Sequence, residues 1–162
     1  MTTLRRYSGR RLVCAASAVI ALAIATVALA NWYVAPVPAG FDPAITLAQA
    51  RQTAALNHRA VVIVATADYC PVCQGFKRHS LSDPQVTQWL EENAETVWLV
   101  AGRDDAAIAA LGITVFPTTI LDVGGGYSLA SITGSVQPWI LVEQLTVARD
   151  RTRQEFCPPG MF

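Results

Sequence analysis

The chain has 162 residues, of which 52% are hydrophobic, and its twelve basic and twelve acidic residues leave no net charge. This length suits one domain of ordinary size with short extensions, and that domain can build a core without a framework of disulfides. Beyond residue 30 the acidic residues are in excess and no basic patch is present, which argues against nucleic-acid binding.

The N-terminal segment is basic and then apolar. Four arginines precede a run of 19 residues, 12–30, that contains no charged side chain. As a helix this run spans about 28 Å, close to the hydrocarbon core of a bilayer at about 30 Å. Positive charge ahead of an apolar segment holds that end in the cytoplasm. We therefore predict a basic cytoplasmic N-terminus over residues 1–11 and a transmembrane anchor or signal segment over residues 12–33.

Two interpretations of this segment stay open. A cleaved signal peptide is one, because Ala28–Ala30 has the small residues of a cleavage site. An uncleaved anchor is favoured, because the run exceeds the usual ~7–15 apolar residues of a signal peptide and is followed by Trp32 and Tyr33. Either way the folded domain is exported. The expected location is the bacterial inner membrane, with the N-terminus in the cytoplasm and the catalytic domain in the periplasm or another extracytoplasmic space.

The rest of the chain alternates between helical and strand patterns. A linker at residues 34–42 leads to a domain predicted at 43–150, and a tail follows at 151–162. The first predicted elements are a helix from Pro43 to about Asn57, a buried strand at 60–66, a helix from the cysteine motif to about His79 and a helix opened by Asp83 and Pro84. They are followed by a strand at 96–101, a short helix at 104–112 and a strand at 115–123. A glycine hairpin at 124–126, its return strand at 127–133 and a last helix from Pro138 complete the order. This order predicts an α/β fold with a mixed central sheet and helices on both faces.

The stretch Tyr69-Cys70-Pro71-Val72-Cys73 lies where a strand passes into a helix. At the helix start, Cys70 faces unpaired backbone N–H groups and the positive end of the helix dipole, which favour its thiolate. The proline at the first helical position loses no hydrogen bond. In an exported protein, such a CxxC is typical of a redox-active disulfide. We predict that Cys70 is the nucleophile and Cys73 the resolving thiol.

Other interpretations of the cysteines remain. A static disulfide would close a very small loop and would stabilise the folded state only a little. A metal site would need further ligands, and the candidates His58, His79 and Cys157 lack a paired-ligand spacing, so we expect no metal and no cofactor. Cys14 lies inside the apolar segment and cannot partner the exported thiols. Cys157 is either an unpaired thiol or the site of an intermolecular disulfide.

Two motifs together resemble the thioredoxin-like superfamily. "YCPVC" follows an apolar strand, and "FPT" at Phe116–Thr118 matches the loop that carries that superfamily's cis-proline, which corresponds to Pro117. Within the superfamily the chain resembles the C-terminal periplasmic domain of the transmembrane disulfide reductase DsbD. That likeness rests on "SDPQV", "ALGITVFPTTILD" and "ITGSV" and covers about residues 43–148.

The resemblance implies roles for further residues. Tyr69, Pro71, Val72 and Pro117 would support the active site, and Phe116 and Thr118 would contact the substrate, although Phe116 could instead pack in the core. Tyr69 stands where the superfamily usually has tryptophan. Thioredoxin carries a buried aspartate where this chain has Val64, which leaves open which group takes the proton from Cys73.

These observations predict an enzyme: a membrane-tethered thiol–disulfide oxidoreductase that reduces the disulfides of client proteins. The multi-span electron carrier of DsbD is absent from this sequence, so the thiol electron donor would be another protein, here unidentified. Two alternatives are a metallochaperone that carries copper on the two cysteines and a thioredoxin-like scaffold or assembly subunit. The chain offers no methionine cluster that would help to bind copper.

Overall fold

The computed structural model describes residues 4–122 and 128–156. The chain divides into two compact units, residues 1–35 and 36–162. In the first unit, α1 runs from Leu4 to Tyr33. Within the described part of the chain, no helix combines the length and the apolar character needed to cross a membrane. The transmembrane assignment of residues 12–33 therefore stays a prediction.

Among its described residues, the second unit contains a mixed sheet of four strands. Its strands are β1 (Ala60–Thr66), β2 (Ala94–Val100), β3 (Thr118–Asp122) and β4 (Ser128–Thr133), and their spatial order is β2-β1-β3-β4. β1 and β2 are parallel, whereas the β1–β3 and β3–β4 pairs are antiparallel. All seven residues of β1 are buried, as expected for a central strand covered on both faces.

In the described part of this unit, five α-helices and one π-helical turn accompany the sheet. They are α2 (Leu47–Asn57), α3 (Pro71–Phe76), the π-helical turn Lys77–Leu81, α4 (Pro84–Asn93), α5 (Asp105–Ala110) and α6 (Pro138–Phe156). Side chains of α3, α4 and α6 share one core cluster with Val62 and Val64 of β1. Side chains of α2 and α5 share the other with Val61 and Ile63. Because side chains alternate along a strand, the two clusters lie on opposite faces of the sheet. The predicted mixed sheet with helices on both faces is confirmed.

The predicted start of the first helix in this unit is wrong. We expected Asp42 to cap a helix beginning at Pro43, but α2 begins at Leu47 with Thr46 as its N-cap. The Oδ1 of Asp42 instead accepts a hydrogen bond from the backbone N–H of Ala44, at 2.9 Å, and closes a turn. Thr46 and Gln49 form a reciprocal capping box that satisfies two orphan donors at once. This pair stabilises the later start more than a single aspartate stabilises the earlier one.

The ends of two helices also depart from the predictions. The helix expected from the cysteine motif to His79 is α-helical only to Phe76 and continues as the π-helical turn. The last helix continues to Phe156, beyond the boundary predicted at residue 150. The glycine hairpin predicted at residues 124–126 lies outside the described residues. By contrast, the Asp83–Pro84 start is confirmed, because Asp83 Oδ1 accepts from the N–H of Gln85 at 2.8 Å.

Candidate redox site

The cysteine motif begins three residues beyond the central strand. β1 ends at Thr66, and the backbone N–H of Cys70 donates to the carbonyl of Ala67 at 3.3 Å, which turns the chain. Cys70 has extended backbone angles and is the N-cap of α3, whose first residue is Pro71. The sequence therefore folds locally as expected, with the first cysteine at the exposed end of a helix that is anchored on the sheet.

The two cysteines are joined by a disulfide, with their Cα atoms 5.2 Å apart. Their environments differ: Cys70 is half-buried, whereas Cys73 has no exposed surface. The backbone N–H of Cys73 donates to the Sγ of Cys70 at 3.1 Å. After reduction, this N–H group is placed to stabilise a thiolate on Cys70. Of the two cysteines, only Cys70 is accessible enough to react with a second protein, whether as the nucleophile or as the sulfur that is attacked.

The loop before β3 lies against the first cysteine. The Phe116–Pro117 peptide bond is cis, as the resemblance implied for Pro117. The carbonyl oxygen of Phe116 is 4.0 Å from the Sγ of Cys70. The backbone N–H of Gly134 donates to the carbonyl of Pro117 at 2.7 Å and ties this loop to the end of β4. A backbone edge therefore runs beside the reactive sulfur.

The remaining predicted site residues are divided between surface and interior. Tyr69 is 89% exposed and Val72 53% exposed, so both are available to a partner. Thr118 is buried, and its hydroxyl donates to the carbonyl of Val115 at 2.7 Å, so this side chain holds the loop and does not reach the surface. Phe116 is half-buried and packs against the core cluster that contains Ile113.

Sequence reasoning missed two buried polar residues, one in the cysteine helix and one directly after it. Gln74 is buried, and its Nε2 donates to the carbonyl of Asp68 at 2.7 Å, which holds the loop before the motif. Lys77 has a side chain only 3% exposed, and its Nζ lies 3.7 Å from Asp68 Oδ1 and 5.3 Å from the centre of the Trp98 ring. Burial lowers the pKa of Lys77 below its usual value, although Asp68 acts in the opposite direction. Lys77 lies four positions after Cys73, and this spacing places two side chains on the same helix face. That pattern could have identified Lys77 from the sequence.

The other candidate ligands are not gathered at this site. His58 is exposed at the C-terminal end of α2, and His79 is exposed in the π-helical turn. Cys157 lies outside the described residues. Across residues 4–122 and 128–156, no group of three or more His, Cys, Asp or Glu side chains is placed to hold a metal ion.

Comparisons with known proteins agree on the fold. A model of the thioredoxin-like family matches residues 42–121. A thioredoxin from Thermus thermophilus is 19% identical, with a TM-score of 0.59 over 74% of this chain and 92% of that one. A DsbH oxidoreductase is 16% identical, with a TM-score of 0.59 over 70% and 87% of the two chains. No curated protein matches the sequence.

The C-terminal domain of DsbD gives a similar match. The oxidised domain from Neisseria meningitidis is 21% identical, with a TM-score of 0.54 over 64% of this chain and 93% of that one. At these identities the likeness concerns the fold alone. Together with the proximal cysteine pair, this fold supports the chemistry of thiol–disulfide exchange.

Proposed function

Because this chain belongs to the thioredoxin-like superfamily, we propose that it is a membrane-tethered oxidoreductase that reduces disulfides of client proteins outside the cytoplasm. The observation that carries this proposal is the asymmetry of the cysteine pair. Cys70 is accessible at a helix start and Cys73 is fully buried directly behind it. This arrangement allows Cys70 to attack a client disulfide and Cys73 to release the client from the mixed disulfide.

The reaction proceeds by two thiol–disulfide exchanges. The Cys70 thiolate attacks one sulfur of a client disulfide, and the client's other sulfur leaves as a thiolate that takes up a proton. Cys73 then gives up its proton and attacks the Sγ of Cys70, which releases the second client thiol and forms the Cys70–Cys73 disulfide. Two electrons pass from the pair to the client. A thiol protein outside this chain then restores the reduced pair.

Exposed side chains around Cys70 provide a surface for the client. Tyr69, Val72 and Val115 are each more than half exposed, which is unusual for large hydrophobic residues that have no partner. The backbone at Phe116 lies beside the sulfur and offers hydrogen-bonding groups to an extended client segment. An unfolded or flexible polypeptide with apolar residues near its disulfide is the kind of client that this surface fits.

Both the sequence and the exposure of α1 support the membrane tether. Residues 12–30 carry no charge and follow four arginines. Large apolar side chains at several angles around α1 are 59–70% exposed, among them Val19, Ile20 and Leu22. Large apolar side chains that are exposed on a helix are favoured in apolar surroundings, and lipid would provide them. With the arginine end in the cytoplasm, the redox domain would lie on the opposite side.

The direction of electron flow is testable by equilibrating the Cys70–Cys73 pair with glutathione buffers. We expect a reduction potential near the ~−270 mV of reducing thioredoxins, and far below the ~−120 mV of a strong oxidant. The purified reduced protein should also reduce a protein disulfide in a turnover assay, and the Cys70→Ser/Cys73→Ser double variant should not. A potential near that of the strong oxidant would make the protein an oxidase. A pair that exchanged with no protein disulfide would exclude the enzyme.

The tether is testable by intact-mass measurement and membrane fractionation. We expect the mature chain to retain residues 1–30 and to stay with membranes after an alkaline wash. A Leu22→Arg variant should lose membrane retention, because a charge at the middle of a spanning helix costs about 2.5–3.5 kcal/mol. Leu22→Ile is the matched control and should behave as the wild type. A mature chain that begins at Asn31 would disprove the anchor and leave a cleaved, exported enzyme.

A further inference from the structure

Lys77 takes no part in the exchange steps described above, yet it is buried one helical turn after Cys73. Its side chain is 3% exposed. It is also the only lysine of the chain, because the other eleven basic residues are arginines. Arginine stays protonated in proteins, whereas a buried lysine can gain and lose its proton. The one lysine of this protein is therefore buried inside the redox domain.

Lys77 and Cys73 are neighbours on the helix. The backbone N–H of Lys77 donates to the carbonyl of Cys73, so the two residues are one helical turn apart. Residues at this spacing lie on the same helix face, with Cβ atoms about 5–6 Å apart. Both side chains point into the domain, since neither has more than 3% exposure. The buried thiol and the buried amine thus share one side of the helix.

Asp68 connects the buried amine to solvent. The Asp68 carboxylate lies 3.7 Å from the Nζ of Lys77, and its own side chain is 51% exposed. On the inner side, Nζ lies over the ring of Trp98. The carboxylate and the aromatic face both favour a positive charge on Nζ, and the exposed carboxylate gives a proton a route to solvent.

Two buried hydroxyls lie on the same face of the sheet. Thr66 lies on the same face of β1 as Val64, and Thr119 lies on the same face of β3 as Leu121. Val64 and Leu121 belong to the core cluster that also contains Phe76 of the cysteine helix. Both threonines are buried, and neither hydroxyl has a hydrogen-bond partner among the described residues. A buried hydroxyl without a hydrogen-bond partner costs free energy in an apolar core. This face of the sheet therefore carries two polar groups among its aliphatic side chains.

We propose that Lys77 accepts the proton of the Cys73 thiol when Cys73 attacks the mixed disulfide, and that Asp68 relays this proton to solvent. The inference rests on the proposed function. In the mixed disulfide, the S–H of Cys73 and the neutral amine of Lys77 share one proton. Transfer to Nζ leaves a thiolate, which forms the bond to Cys70 Sγ while the bond from Cys70 to the client breaks. The departing client thiolate takes up one proton, so the total is conserved.

The chemistry of the two groups supports this assignment. Ordinary pKa values are about 10.4 for lysine and 8.5 for a thiol, so burial, which lowers the pKa of Lys77, brings the two closer together. The charged groups that act on Lys77 are Asp68, which raises its pKa, and Arg78, which lowers it. Proton transfer between the buried thiol and amine leaves the net charge of the interior unchanged, which avoids bringing a lone charge into the core.

A kinetic experiment tests the proposal on the full-length protein. A chromogenic nitrobenzoate disulfide reacts with the reduced pair in two phases, first at Cys70 and then as Cys73 displaces the second chromophore. The trace of the matching Cys73→Ser protein is subtracted, because that protein cannot perform the second phase. We expect Lys77→Met to slow the second phase about 10²-fold at neutral pH, with the loss shrinking as rising pH ionises the thiol without help.

The neighbouring exposed residue provides the control for this experiment. Arg78→Met removes a positive charge that lowers the pKa of Lys77, so this variant should move the pH profile of the second phase towards higher pH without the ~10²-fold loss expected for Lys77→Met. A second phase in Lys77→Met with the wild-type rate and pH profile would overturn the role of Lys77. Failure of the first phase in the wild type would instead overturn the proposed function, so the two failures are distinguishable.

A spectroscopic measurement tests the coupling without altering Lys77. Isotope-labelled lysine gives one side-chain signal in this protein, because the chain has one lysine. We expect the pH titration of this signal in the reduced protein to show an inflection that is absent from the oxidised protein and from reduced Cys73→Ser. Identical curves in all three samples would show that Lys77 and Cys73 do not share a proton, and the proposal would fall.

Discussion

Replacing Cys73 with serine will trap client proteins on Cys70 as stable mixed disulfides and abolish turnover. Cys70 keeps its position at the start of α3 and remains open to solvent, so it still attacks. The variant lacks the buried thiol that would displace the client, and release then depends on slow attack by outside thiols. Nonreducing electrophoresis followed by mass spectrometry of the linked peptides will identify the attacking cysteine.

The reciprocal variant provides the control for this trap. Of the pair, Cys70→Ser keeps only Cys73, whose side chain has no exposed surface and cannot reach a client disulfide. We expect few adducts and a loss of turnover as complete as in Cys73→Ser. If Cys70→Ser accumulated client adducts on Cys73 while Cys73→Ser accumulated few, the roles of the two cysteines would be reversed.

Truncation of Trp98 should have the largest effect on stability. Its side chain is 2% exposed in the centre of β2, and its ring meets that of Phe41 edge-on at 5.2 Å between centroids. Loss of a buried tryptophan costs about 3–5 kcal/mol, since the cavity adds to the lost transfer free energy. Trp98→Ala should therefore reduce the free energy of unfolding by that amount, measured by denaturant titration in detergent and read from the shift in midpoint at constant slope.

An exposed tryptophan in the same domain offers a matched comparison. Trp139 lies at the start of α6 and is 61% exposed. Trp139→Ala should change the free energy of unfolding by no more than about 0.5 kcal/mol, as surface substitutions usually do. Equal effects of the two substitutions would mean that Trp98 is not packed in the core as described.

Most of the element order was predictable because its signals are local. The buried strand at 60–66 is a run of apolar, mainly β-branched residues, and the strand forms over those residues. Asp83 followed by Pro84 combines a side-chain cap with a fixed backbone angle, and α4 begins there. The same pattern at Asp42 and Pro43 failed, because Thr46 and Gln49 offer a two-bond cap four residues later. Local signals therefore identified the elements better than their boundaries.

The candidate site was predictable where its chemistry lies in consecutive residues. Cys70, Pro71 and Cys73 form the start of one helix, so their relative placement follows from helix geometry. The resemblance led to Pro117, which belongs to a distant segment, and the structure brings the carbonyl of the preceding Phe116 to 4.0 Å from the Cys70 sulfur. Thr118 was expected to contact the substrate, but its hydroxyl is held inside the loop by Val115.

The sequence by itself determined the alternation of helices and strands, the cysteine pair at a helix start and the apolar segment that precedes the domain, because each depends on residues close together in the chain. Only the tertiary structure decided which polar groups are buried behind that pair. The environment of Lys77 is set by Trp98, which lies 21 positions further along the chain, on a strand parallel to β1. Burial and charge pairing depend on how the sheet brings distant segments together, so they cannot be inferred from local sequence patterns.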